Sequence, residues 1–502
     1  MSDFTTAKCP CAHCDTHLEF PIEAAGAVVD CPTCQQQTEL YVPATGALAP
    51  EVELTGDHIL AAFHASVPRT TVTPLYQFGL FVVAVTMAIL PVLYLAMIVV
   101  AGWGVYFWAT HFGFLLRAGG GGVRLYLIKL VLYFAPLFAG SVVVLFMVKP
   151  LFARRPRRAQ PLAVNPEVDP LLHGFIRKVC EAVGAPMPKR VDVNCELNAS
   201  ASFRRGFLSL FGNDLVLTIG LPLVAGVNLQ QFAGVLAHEF GHFTQGFGMR
   251  LTYVIRRING WFARVVGERD AWDEWLDSCS VESEGWVAFV VFMAELAVGF
   301  SRGLLKLLMY AGHGIGCFML RQMEYDADSY EIKVVGSVCT EECFRRFHVL
   351  GKVTESAYKA MRVGWNGDQR LPDDFPAYLL RHDLAVSPGK RTKWEDTLGL
   401  EPSGLFDTHP SNGDRIRRAR LADEAGVFNL TAPASRLFAN FEVISKQVTQ
   451  LHFADDLGIP PELTKLTADM GPGQGGPVSE TEAESKPAAG KPFGRLKIKG
   501  RE

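Results

Sequence analysis

Two histidines and a glutamate are the residues of this chain best placed to do chemistry. They lie within Asn228–Phe243, NLQQFAGVLAHEFGHF. Phe232, Leu236, Phe240 and Phe243 recur at helical spacing, which predicts a helix with an apolar face. Asn228 with Gln231 three residues on fits a capping box at its start. His238 and His242 are four residues apart, so on a helix both imidazoles project from one face. That pair can give two nitrogen ligands to one zinc ion, and Glu239 can reach a metal-activated water as general base. The bland reading is two surface histidines on an amphipathic helix, and it leaves the residues that follow unaccounted for.

A catalytic zinc needs a third protein ligand and an open fourth position. The continuation HExxHxxGxxH is not met, because Gln245 and Gly248 stand where Gly and His belong. The best candidate lies 82 residues beyond His242, in Arg321–Asp328, RQMEYDAD. Glu324 and Asp328 share one face of a predicted helix. Glu324 is the candidate ligand, and Asp328 could hold a ligand histidine by its other ring nitrogen, fixing the tautomer. Alone, ExxxD usually marks a solvated acidic helix. It gains weight only beside HExxH.

A second set of metal-binding residues opens the chain. Cys11-x-x-Cys14 and Cys31-x-x-Cys34 are separated by sixteen residues, the spacing of a zinc ribbon with one structural zinc. Residues 1–45 have little core, so the metal would supply much of their folding free energy. A redox-active CxxC would need a βαβ pattern that is missing here. Thiols used this way indicate a reducing compartment. Lys8 is the sole Lys or Arg in this module and the net charge is −3, so no nucleic-acid partner is expected.

The elements that must position these residues fall into blocks. Hydrophobic residues make up 49 % and charged residues 20 %, a balance that fits mixed membrane and soluble parts. Residues 46–75, rich in Pro, Ala and Thr, read as a linker. Residues 76–150 read as a transmembrane hairpin, Phe78–Trp108 and Leu125–Val148, so a lipid bilayer is an expected partner. The basic run Lys149, Arg154, Arg155, Arg157 and Arg158 outweighs Arg117 and Arg124 in the turn. This places the following domain, and the ribbon with it, on the cytoplasmic side. The chain start shows no basic region leading into an apolar core.

Residues 160–455 read as one mixed domain, with strands at Arg190–Leu197 and Asp214–Gly220. Membrane-associated helices are expected within 246–320. Met249–Val266, carrying Arg250, Arg256, Arg257 and Arg264, reads as an interfacial basic helix. Gly285–Leu320 could be a short hairpin breaking at Gly299–Gly303, or a helix lying against the bilayer. Residues 465–502 read as a disordered tail.

The basic flank, the apolar hairpin, NASA (Asn198–Ala201), LAHEFGH, EYDAD and THPSNGDRI together resemble the gluzincin membrane proteases. These include HtpX-like bacterial quality-control proteases and CAAX prenyl-protein endopeptidases. The resemblance covers roughly residues 75–425. It implies an α+β, mainly α, zincin-type metalloprotease domain with transmembrane helices, beside the small zinc ribbon. It implies a catalytic zinc held by His238, His242 and Glu324, with Glu239 as base. Asn198, Ala199 and Ser200 match a strand that pairs with substrate backbone. His409 matches a late histidine that could stabilise an oxyanion, and Arg415 could orient the site or bind a peptide carboxylate. The expected function is a membrane-anchored zinc endopeptidase, acting on membrane-associated polypeptides at the cytoplasmic face of a bacterial inner membrane. Membrane protein quality control is its expected setting, and nothing calls for a prenylated substrate. The competing class is an inert membrane scaffold whose ribbon binds a protein partner.

Overall fold

The structure is a computed structural model that describes residues 6–12, 16–41, 54–68, 74–117, 122–152, 161–203, 214–244, 247–267, 285–399, 409–459, 462, 464–468 and 470. Two antiparallel hairpins open the chain: β1 (Thr6–Pro10) with β2 (His17–Pro21), and β3 (Val28–Asp30) with β4 (Gln37–Glu39). Cys9, Phe20 and Leu40 form their small core.

The stretch expected as a linker holds a helix, α1 (Gly56–Ala61), capped by the Thr55 hydroxyl. Ile59 is buried in the main core, and the Phe63 ring stacks on Phe428 with centroids 4.3 Å apart. These residues are part of the globular core, because their apolar side chains find a surface to cover. The chain's other end departs in the same way from a tail beginning at 465. Lys465–Thr467 forms a strand, β10, pairing in parallel with β9 (Arg370–Pro372), and Met470 is buried. Residues 471–502 lie outside the described residues.

The central sheet has strand order β5-β6-β8-β7, from Leu162–Ala163, Arg190–Asn194, Leu215–Gly220 and Ala199–Phe203. Strands β6 and β8 run parallel, as alternating apolar sequence in both segments allows, and β7 pairs antiparallel to β8 at the sheet edge. Helices α4 (Pro170–Val183), α5 (Leu221–Gly226) and α6 (Leu229–Thr244) follow these strands and share their apolar core.

Among the described residues, two helices are long and apolar enough to cross a membrane, α2 (Pro74–His111) and α3 (Gly122–Val148). Their outer faces are lined with exposed Phe, Val, Leu and Trp. Two more helices pack beside them, α7 (Phe247–Gly267) and α8 (Gly285–Val335). The packing is staggered. The first half of α2 meets α7 and α8, with Gly79 against Met319. Midway, the Tyr94 hydroxyl donates to the Met147 carbonyl and contacts Ser301, tying α2, α3 and α8 together. The second half of α2 meets α3, where Trp108 donates to the Tyr133 carbonyl.

No break occurs at Gly299–Gly303: α8 runs unbroken for 51 residues. Each glycine costs about 1 kcal/mol relative to Ala in a helix. In apolar surroundings an opened backbone costs more, since its N–H and C=O groups find no other partner. Helix α7 buries Ile255 and Phe262 against α2 and α8, so its basic residues ride on a packed helix.

Among the described residues the remaining α-helices are α9 (Ser337–Asp368), α10 (Phe375–Leu384), α11 (Pro388–Asp396), α12 (Asn412–Ala422) and α13 (Phe441–Leu451). Gly336 turns the chain between α8 and α9 at φ +86°, with the Ala425 carbonyl oxygen only 2.7 Å from where a Cβ would sit.

Candidate metal centre

Helix α6 begins with the expected capping box. Gln231 N donates to Asn228 Oδ1 (2.8 Å) and Asn228 N to Gln231 Oε1 (3.2 Å), satisfying two orphan donors. Phe232, Leu236 and Phe240 are fully buried. Their burial fixes the rotation of the helix and turns His238 and His242 toward α8.

Helix α6 lies close to α8 because Gly234 and Gly241 face it. A Cβ on Gly241 would stand 3.0 Å from the Tyr330 ring and 3.3 Å from Ala327 Cα. This approach brings Glu324 to the histidines. Its Oε2 is 3.5 Å from His238 Nε2, and its Oε1 is 3.8 Å from His242 Nε2. The three donors lie within 4.8 Å of one another. Two ligands held at ~2.0–2.1 Å by one tetrahedral ion stand about 3.3 Å apart, so the donor set fits zinc.

The opposite side of His238 is supported by carboxylates. Its Nδ1 stands 3.0 Å from Asp328 Oδ1 and 3.9 Å from Glu331 Oε2. Burial alone would raise Asp328. The charge and paired N–H groups of Arg415, together with His238, outweigh it and hold Asp328 below the usual carboxylate range. Burial and the Asp328 charge push Glu331 up instead. Arg415 rises from the first turn of α12, which Ser411 caps, and stacks 4.3 Å over the Phe344 ring. Only 14 % of the Arg415 side chain is exposed, and its guanidinium engages both Asp328 oxygens.

Glu239 Oε2 accepts a hydrogen bond from Ala201 N at 3.1 Å. Burial pushes its carboxyl above the ordinary range, against the pull of His238 and that N–H. His409 is 65 % exposed, with Nδ1 3.2 Å from Glu324 Oε2. The edge strand β7 carries Ala199 and Ser200, and Asn198 precedes it. Asn198 O accepts from Gly220 N, so by antiparallel alternation Ser200 turns its backbone to β8, while Ala199 and Ala201 face the free edge. The sequence reading missed Ala201 and Arg256. Arg256 Nη2 donates to Glu324 Oε1 at 2.7 Å.

The cysteine cluster also forms. Cys11, Cys31 and Cys34 lie together, with Cys11 Sγ 3.7 Å from Cys34 Sγ. Two thiolates at ~2.3 Å from a tetrahedral zinc are about 3.8 Å apart, a match that supports one structural ion. Cys14 lies outside the described residues. Cys9 stands apart, buried in the hairpin core.

A helix bearing HExxH, a glutamate from a second helix and a sheet edge beside the base define the class, a metallopeptidase with α+β, mainly α, architecture. A model of peptidase family M48 matches residues 166–422, just over half of the chain. The chain belongs to peptidase family M48. It is 25 % identical over 338 residues to the protease HtpX of Acinetobacter baumannii (strain AYE), a match covering 66 % of this chain and 96 % of that protein. It is 24 % identical over 205 residues to a protease HtpX homolog of Bordetella pertussis, covering 40 % of this chain and 64 % of that relative. The chain thus spans somewhat under two thirds of that relative's length. No solved structure matches it. The two apolar helices and the HtpX likeness together suggest a membrane protein.

Proposed function

We propose that this chain is a membrane-anchored zinc endopeptidase that hydrolyses membrane-associated polypeptides at the cytoplasmic face. The observation that carries the reading is the convergence of His238, His242 and Glu324, with Glu239 beside them on the same helix. The cytoplasmic side rests on the basic residues that follow the hairpin. The quality-control role comes from the HtpX likeness and is proposed with it.

His238, His242 and Glu324 would hold the zinc, which when bound acidifies water and polarises a carbonyl. An extended peptide adds to the free edge of β7, pairing with the outward backbone groups of Ala199 and the Ala201 carbonyl, the Ala201 N–H being held by Glu239. Asn198 flanks that edge. Glu239 takes a proton from water and passes it to the departing amine nitrogen, and its raised affinity for protons suits that return. His409, exposed at the mouth of the site, donates to the oxygen of the scissile carbonyl as charge develops there. Asp328 and Arg415 keep His238 in the tautomer that leaves Nε2 free as a ligand.

Glu239→Gln is expected to keep its zinc and lose cleavage by about 10²–10⁴-fold. Undiminished proteolysis in that variant rejects the mechanism. Zinc found in the cysteine cluster alone would favour the scaffold reading.

A further inference from the structure

Arg256 sits on α7, which begins three residues after the end of the histidine helix. Its neighbour Ile255 is fully buried, 3.7 Å from where a Gly316 Cβ would stand on α8. That anchor sets the rotation of α7 and turns Arg256 toward the metal site. The guanidinium then reaches Glu324 Oε1 at 2.7 Å while 49 % of its side chain stays exposed. Among the described residues this is its one hydrogen bond, and it goes to a candidate metal ligand.

We propose that Arg256 is a positioning residue for Glu324, linking the metal site to the packing of α7 between α2 and α8. The proposal rests on His238, His242 and Glu324 forming the zinc site. A carboxylate has two oxygens, and a tetrahedral site with two imidazoles needs only one of them. Arg256 takes Oε1 through a charge-assisted hydrogen bond, while Oε2, which faces His238 Nε2 at 3.5 Å and the exposed His409 Nδ1 at 3.2 Å, is the oxygen that would turn to the ion. Without Arg256 the carboxylate swings between its oxygens and loses order before binding. Because Ile255 and Phe262 on the same helix pack with Leu80, Met87 and Leu305 of α2 and α8, a shift of that packing moves Arg256 directly.

The test compares wild type, Arg256→Ala, Arg256→Lys and His238→Ala, each as the full chain in detergent. Zinc release to a chromophoric chelator is followed, and the phase absent from His238→Ala is assigned to the site. In Arg256→Ala that phase is expected to show affinity weakened by about 10–100-fold. Cleavage kcat should fall with KM little changed, and Arg256→Lys should recover part of both losses. Affinity and kcat of Arg256→Ala within about twofold of wild type overturn this inference alone. A zinc profile in His238→Ala identical to wild type overturns the zinc reading itself, and this inference with it.

Discussion

Arg415 grips both carboxylate oxygens of Asp328, 87 residues away in the chain, and Asp328 in turn faces Nδ1 of His238. The line from α12 through α8 to α6 makes the orientation of a candidate metal ligand depend on three helices at once. Arg415→Ala would leave Asp328 buried and uncompensated. Removing one partner of such a pair costs about 3–5 kcal/mol. Denaturant unfolding should show that loss, and zinc titration should show affinity reduced by about 10–100-fold. Arg415→Lys keeps the charge but loses the two-pronged grip, so it should fall between. A fully stable Arg415→Ala with normal zinc affinity would remove the support role.

The approach of α6 to α8 depends on Gly241. Its missing Cβ leaves room for the Tyr330 ring and the Ala327 backbone. Gly241→Ala requires those groups to give by a few tenths of an ångström, and Gly241→Val requires more. Zinc affinity should fall in the order wild type, Ala, Val, although neither side chain touches the ion. Measured in the same chelator competition, equal affinities for all three would show that the helices tolerate separation.

Ala201 offers a backbone test of the substrate edge. Ala201→Pro deletes the N–H that Glu239 accepts and blocks pairing at the outward face of β7. Proline is tolerated on edge strands, so the sheet should survive. Peptide cleavage should drop by at least about tenfold, the size of one lost charge-assisted hydrogen bond of about 1.5–3 kcal/mol. Zinc content should stay unchanged. Normal cleavage by Ala201→Pro would exclude this edge as the peptide-binding strand.

The cysteine cluster should be separable from catalysis. Cys31→Ser is expected to abolish the thiolate-bound zinc and loosen residues 6–41, while the histidine site keeps its metal and cleaves a short peptide. Zinc analysis and a peptide assay on one preparation test both halves. Loss of peptide cleavage in Cys31→Ser would show that the ribbon serves the active site itself.

Much of this site was legible locally. The capping box at Asn228, the apolar face of Phe232, Leu236 and Phe240, and the paired imidazoles all follow from 3.6-residue periodicity within one short segment. The candidate ligand Glu324 could be named from its spacing to Asp328 only because HExxH demanded a partner. Ala201 and Arg256 carried no such mark. Arg256 read as one of four basic residues on an interfacial helix, because nothing near it in sequence tells that Ile255 is buried against Gly316.

The chain's own order of residues marked the HExxH helix, the apolar hairpin and the two CxxC pairs, since these depend on neighbours a few positions apart, whereas the edge strand came with the family resemblance. Tertiary structure alone decided that α8 runs unbroken through Gly299 and Gly303, that α1 joins the core, and that Arg415 pairs with Asp328. Each of those outcomes depends on packing between segments far apart in the chain. The burial that decides them is shared by side chains from several helices, so no single stretch contains it.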